Sequence, residues 1–195
     1  MPVECPRREQ ILDAAERLFT HYGPGKTTVA DIAREAGIGV GSVYLEFASK
    51  EAILIELAAR RHDAVLTAMR SAAEAPGSHA ERLLRIFQAR AEGFLALADA
   101  GAHGLELVAC GRCSGIREVQ ERFRVEERAL VAGILGAGAA AGELAARDPS
   151  ALAATVLRAF VAFTAPWIHG LDRASLSEEL TRLHALVVHG LARRG

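Results

Sequence analysis

Residues 23–51, GPGKTTVADIAREAGIGVGSVYLEFASKE, decide the fold. Val29, Ile32, Ala33 and Ala36 recur at i, i+3, i+4 and i+7, the stripe of one buried helical face, and Thr28 followed by Asp31 is a capping-box signature for the start of that helix. Gly37 stops it. A shorter helix follows in which Val43 and Phe47, four residues apart, turn inward and leave Val40, Gly41, Ser42, Leu45 and Glu46 facing outward. Two short helices joined by a tight turn, the second with a free face, form the arrangement that lays one helix into the major groove of DNA. Ser49 is placed to cap a further helix with Lys50 and Glu51 in its first turn. A cation there opposes the helix dipole, which favours an anion. A phosphate at that helix start resolves the conflict, because the N-terminal amides and the ammonium then share one anion; the plainer alternative is a solvated lysine.

Upstream, Ile11, Ala14, Ala15, Leu18, Phe19, Tyr22 and Gly23 lie on a first helix. Together with Thr27, Thr28, Ile32, Ala33, Ala36, Gly37 and Ile38, then Gly41, Tyr44, Phe47, Ser49, Lys50 and Glu51, they make a pattern that resembles the TetR family of bacterial repressors. The resemblance implies an all-helical homodimer with an N-terminal DNA-binding domain and a larger C-terminal domain that binds an effector and dimerises. It also implies roles at individual positions. Thr27 or Thr28, Gly41, Tyr44 and Lys50 match positions that hold the backbone of double-stranded operator DNA, and Val40, Ser42, Leu45 and Glu46 match positions facing bases or nearby phosphates. Val40 and Leu45 stand where polar or aromatic residues are frequent in the family, and Glu46 where a histidine often does. Apolar side chains can read a thymine methyl, and a carboxylate can accept from cytosine N4 while repelling phosphate.

Composition fits this expectation. The chain has 195 residues, 51% hydrophobic and 24% charged, which suffices for one sizeable core or two small ones. Its net charge of −1 gives no general basic footprint. Within residues 1–50, Arg7, Arg8, Arg17, Lys26, Arg34 and Lys50 are balanced by Glu4, Glu9, Asp13, Glu16, Asp31, Glu35 and Glu46, so any DNA affinity must come from placement. The two lysines of the chain, Lys26 and Lys50, both flank the proposed DNA-binding helices. No apolar run is long enough to span a bilayer, and MPVECPRREQ lacks the apolar centre of a signal peptide, so a cytoplasmic protein with no membrane partner is expected. No nucleophile–base constellation or phosphate-binding loop appears, so neither an enzyme nor a cofactor is expected.

The whole chain reads as all-α, about nine helices: an N-terminal three-helix helix-turn-helix domain over 1–50 and a C-terminal helical bundle over 51–195 for ligand binding and dimerisation. A fourth helix is expected from about Ser49 to Ala73, before the Pro76-Gly77 break. A fifth opens at Ser78 with Glu81 and runs to about Asp99. A sixth spans Ala102 to Cys113 and a seventh Ile116 to Ala141. Asp148-Pro149 starts an eighth, and Ser175 with Glu178 a ninth. The eighth, SALAATVLRAFVAFTAPWIHG, is apolar nearly all round, which implies burial on more than one side. The resemblance makes it and the ninth a four-helix dimer interface in which Ala153, Ala154, Ala159 and Ala162 permit close approach. The alternative is a central helix of a monomeric core.

An effector site is harder to read. Phe87 and Phe94 on the fifth helix, and Phe160, Phe163 and Trp167 on the eighth, form stripes that are core by default. The resemblance places a pocket between those helices, and apolar walls with a few polar groups suit a small molecule. The polar candidates are Arg90, His103, Glu106, Arg158 and His169. His103, Glu106, Cys110 and Cys113 fall on one side of the sixth helix. From His103 to Cys113 a helix rises on the order of 15 Å, so all four cannot share one ion bound at about 2 Å. No metal site is assigned, and Cys110 counts among the pocket residues. The expectation is a repressor released from its operator by a small, mostly apolar effector. The alternative is a thiol- or metal-responsive regulator using Cys110, Cys113, His103 and Glu106.

Overall fold

The computed structural model describes residues 6–109, 113–163 and 173–191, and these fold into helices throughout. In chain order they are α1 Arg7–Tyr22, α2 Val29–Glu35, α3 Val40–Glu46, α4 Lys50–Glu74, α5 His79–Asp99, α6 Glu106–Ala109, α7 Ser114–Ala140, α8 Pro149–Ala159 and α9 Arg173–Leu191. A 3-10 turn, Phe160–Phe163, follows α8. None of the described helices is long and apolar enough to cross a membrane. Two compact units result, residues 1–62 with 97–120, and residues 63–96 with 121–195. The first unit thus reaches past residue 50 to include the opening turns of α4 and the segment around α6.

In the first unit Ile11, Ala15 and Phe19 of α1, Ile32 of α2, Val43 of α3 and Ile53 of α4 are buried in one core. Polar groups fix α1 to α4 around it. Arg60 gives both terminal nitrogens to Glu9, at 2.6 and 2.7 Å, and one of them also to Glu56 at 3.1 Å. Arg61 pairs with Glu16.

The expected sixth helix from Ala102 to Cys113 is not one helix. Residues 102–105 form turns, and α6 covers four residues; Cys110 lies outside the described residues. Two glycines explain the departure, because the backbone here presses against other backbone. A Cβ on Gly101 would lie 2.6 Å from the Thr20 carbonyl oxygen, and one on Gly104 only 1.9 Å from that of Leu97. This close path lets the His103 N–H donate to the Thr20 carbonyl at 3.0 Å, satisfying an acceptor in the last turn of α1.

In the second unit α5 opens with a capping box: Ser78 Oγ accepts from the Glu81 N–H at 3.2 Å, and Glu81 Oε2 accepts from the Ser78 N–H at 2.8 Å. Asp148 caps α8 by accepting from the Ala151 N–H at 3.0 Å, with Pro149 as the first helical residue. α8 ends at Ala159, earlier than expected, and residues 164–172, Trp167 and His169 among them, lie outside the described residues. In the 3-10 turn the positions i and i+3 eclipse, which places the buried Phe160 and Phe163 on the same side.

His184 of α9 is buried and donates from Nε2 to the Ala80 carbonyl of α5 at 2.8 Å. Burial pushes its imidazole below the ordinary value of 6.5, and that hydrogen bond opposes the shift in part. Below pH 6.5 the unfolded chain therefore binds more protons at this site than the folded one. The contribution of His184 to stability is full above the unfolded value and is lost as pH falls through the folded one. Urea unfolding between about pH 7 and pH 5 should lose stability more steeply in the wild type than in His184→Gln, and parallel slopes would contradict the assignment.

Candidate nucleic-acid interface

The α2–α3 pair is fixed by local chemistry at three points. Thr28 accepts from the Asp31 N–H at 3.2 Å, and Asp31 accepts from the Thr28 N–H at 3.0 Å, which completes the capping box expected from sequence. The Thr28 hydroxyl also donates to the Asp31 carboxylate at 2.6 Å, and this bond first, then the one from the Thr28 N–H, holds the carboxyl below its usual range. At the other end of α2, Gly37 takes φ +68°, the Ile38 N–H reaches the Ala33 carbonyl at 2.9 Å, and the Gly37 N–H reaches Arg34 at 3.2 Å. This double bond pattern is the Schellman turn, and it needs a residue free to adopt a positive φ. α3 then starts at Val40, with Val43 and Phe47 buried beneath it.

What remains outward is the face expected. Leu45 is 80% exposed, Tyr44 55% and Val40 42%. Gly41 is exposed as well, while Ser42 and Glu46 are half-buried. Thr28 is exposed at the start of α2, beside this face in sequence. Thr27 is different: it is 3% exposed, and its hydroxyl donates to the Gly23 carbonyl at 3.0 Å. Of the two threonines, Thr28 is the one with a surface to offer.

Lys50 has partners within the fold that the sequence did not show. Its ammonium donates to the carbonyls of Pro24 and Thr27 at 2.6 and 2.7 Å, so the first turn of α4 is tied to the loop between α1 and α2. The conflict with the helix dipole is met by carbonyl oxygens within the fold, and one of the three ammonium protons is left for an external anion.

Arg8 was not singled out by sequence, yet it touches more of this site than any residue that was. Nε donates to Glu56 at 3.2 Å, Nη1 donates to the Glu46 carbonyl at 2.9 Å, and the guanidinium carbon lies 4.1 Å from the Phe47 ring centroid. One side chain thus links α1, α4 and the last turn of α3. The available signal was its register: Arg8 precedes Ile11, Leu12 and Ala15 at the spacing of the buried stripe.

The expected effector residues divide between the units. Phe87, Arg90, Phe94, Phe160 and Phe163 come together in the second unit, all buried. The Phe87 and Phe160 rings stack in parallel at 3.8 Å, and Phe94 meets Phe123 edge-on at 5.8 Å. Arg90 pairs with Glu127, a residue missed by sequence although it stands in the α7 stripe four residues from both Phe123 and Val131. Arg158 is exposed. His103 and Glu106 belong to the first unit, where they pair with each other at 2.7 Å, and are not part of the aromatic group. Cys113 is buried and donates its thiol to Glu51 at 2.9 Å. Burial, with the carboxylate adding to it, pushes that thiol up, which disfavours the thiolate that metal binding or oxidation needs. Among the described residues no group of three or more His, Cys, Asp or Glu side chains is placed to hold a metal ion.

With this geometry in hand, comparison with known proteins gives a consistent result. Residues 11–57 match the bacterial regulatory proteins of the tetR family. The N-terminal domain belongs to that family. A transcriptional repressor of Mycobacterium tuberculosis, KstR2, is 38% identical over 86 residues, covering 44% of this chain and 43% of that protein. The chain therefore matches less than half the length of this relative. Among solved structures, a TetR/AcrR-family regulator from Thermobifida fusca aligns over 97% of this chain and 100% of its own, with 28% identity and a TM-score of 0.75. The fatty acid degradation regulator FadR from Bacillus halodurans aligns over 98% of this chain and 100% of its own at a TM-score of 0.74, and its 22% identity speaks to fold alone. These relatives are regulators, not enzymes.

Gly41 supplies a test of the interface. A Cβ at this position would meet nothing within 4 Å, and its φ is not positive, so nothing inside the fold requires glycine. A helical glycine costs roughly 0.5–1 kcal/mol relative to alanine. Gly41→Ala should raise the unfolding free energy by about that amount, and it should weaken operator binding if Gly41 is a position where backbone and DNA approach. Unchanged operator affinity in a stabilised variant would remove Gly41 from the interface.

Proposed function

We propose that this protein is a transcriptional regulator that binds double-stranded operator DNA as a homodimer and is released from it by a small, mostly apolar effector. The observation that carries the reading is the free face of α3. A leucine that is 80% exposed beside an exposed tyrosine and valine, on a seven-residue helix fixed at both ends, is a surface without an internal use. It lies in a domain of a regulatory family, on the second helix of the helix-turn-helix.

In this reading Val40, Ser42, Leu45 and Glu46 face base edges, and Thr28, Gly41, Tyr44 and Lys50 hold the backbone. Each protomer offers one reading helix, so a tight site needs two half-sites and two protomers. The surface available for pairing is on α8, the turn after it, and α9: Ala159, Val161 and Ala162 are exposed, and Leu186 is 72% exposed. The apolar effector is supported by the aromatic group of the second unit. Repression rather than activation follows the naming of KstR2 as a repressor.

Selection from random duplex DNA should return a two-fold symmetric site. Leu45→Ala should relax preference at one base pair of each half-site by about 1–3 kcal/mol, as expected for loss of a direct base contact. Ala162→Glu should give monomers in sedimentation and lose operator affinity while keeping the helical circular dichroism of the parent. Replacing Lys50 with Met should lower the salt slope of binding by about one unit. An asymmetric selected site, or a monomeric wild type that binds it tightly, would refute the dimeric reading.

A further inference from the structure

We infer that Arg90 is an anion-binding residue of the effector site, so that the effector is an amphipathic acid rather than a neutral apolar molecule. This rests on the effector reading above and specifies its chemistry. α5 places Phe87, Arg90 and Phe94 on one face at i, i+3 and i+7, and α7 supplies Phe123 and Glu127. Arg90 is 8% exposed and Glu127 3%, and Arg90 Nε donates to Glu127 Oε1. The guanidinium carbon lies 5.4 Å from the Phe94 ring centroid. Two full charges thus sit among aromatic rings.

Stability does not account for that arrangement. A buried ion pair gains no more than well-packed apolar residues of the same volume, because desolvation of both charges offsets their attraction. The pairing is also incomplete. A guanidinium carries five N–H donors, and among the described residues Arg90 makes its one hydrogen bond through Nε. The two terminal nitrogens, with four of those donors, keep the planar fork that matches a carboxylate or another oxyanion.

The sign of the ligand follows from an asymmetry within the pair. A cation arriving at Glu127 would displace Arg90 and leave a buried guanidinium, which cannot lose its charge. An anion arriving at Arg90 can take the terminal N–H donors while Nε stays on Glu127, so neither member of the pair loses its partner. The anion is the ligand this pair can receive without stranding a charge. Its apolar body would replace ring-to-ring contacts of Phe160 and Phe163, whose centroids are 6.0 Å apart on the 3-10 turn.

The test uses the full chain and three probes of equal length: decanoate, decan-1-ol and decylamine, titrated by calorimetry. Decanoate should bind at least about tenfold more tightly than the alcohol, as a charge-assisted contact in a buried site implies. The neutral double variant Arg90→Met with Glu127→Gln should bind the alcohol as before and the acid no more tightly. Should that variant fail to fold, Arg90→Lys keeps the charge without the fork and should lose part of the preference. Equal affinity for acid and alcohol, a preference that survives in the double variant, or tighter binding of the amine would overturn the anion site while leaving an apolar effector standing. Failure of the wild type to bind any of the three would overturn both.

Discussion

A seven-residue helix has no stability of its own in water, because nucleation fixes several residues before any hydrogen bond repays the lost entropy. α3 is such a helix, and every other feature of the first unit can be understood as a way of holding it. Val43 and Phe47 anchor it from below. The Schellman turn at Gly37 sets the angle at which it leaves α2. Arg8 takes a carbonyl of its last turn and covers Phe47 with its guanidinium. The outward side chains Val40, Tyr44 and Leu45 are therefore presented by a segment that owes its shape to tertiary contacts, and a shift in those contacts is a shift of the reading face.

That dependence gives the ion pairs of α1 and α4 a meaning that surface ion pairs ordinarily lack. Exposed pairs contribute little to stability, commonly under about 1 kcal/mol each. Here Glu9, Glu56 and Arg60 form a connected set with Arg8, and Arg8 alone among them reaches α3. The value of the set lies in geometry: it keeps α1 and the first turns of α4 in register with the last turn of the reading helix. Lys50 ties the first turn of α4 to the loop between α1 and α2, through the carbonyls of Pro24 and Thr27.

Much of this was legible in the sequence, and the parts that were not share a cause. Capping boxes at Thr28 and Ser78, the cap at Asp148 and the turn at Gly37 are local, and local spacing revealed them. The outward face of α3 followed from the spacing of Val43 and Phe47. The choice between Thr27 and Thr28 was left open by sequence, because the bond from the Thr27 hydroxyl to the Gly23 carbonyl comes from the path of the loop before α2. The continuous sixth helix failed because periodicity records which residues could share a face, whereas Gly101 and Gly104 are there for the approach of distant backbone. The shared face proposed for His103, Glu106, Cys110 and Cys113 rested on a continuous helix that does not form. Arg8 and Glu127 escaped notice for the opposite reason, being charges set within apolar stripes, where pattern reading discounts them.

The Arg90–Glu127 pair bears on what the proposed release by a ligand would require. α4, α5 and α7 each divide their residues between the two units, so these helices belong at once to the core that holds α3 and to the core that holds the Arg90–Glu127 pair. A ligand changes DNA affinity only if it binds one setting of such shared elements better than another, and DNA must then change ligand affinity by the same factor. Typical couplings are about 1–3 kcal/mol, which is comparable to the free energy of a single buried charge-assisted hydrogen bond. A rearrangement of one buried pair is therefore of the right size to bias the fold. By the same measure, an apolar ligand that merely filled space between rings, with equal affinity for every setting of these helices, would leave the operator complex unchanged however tightly it bound.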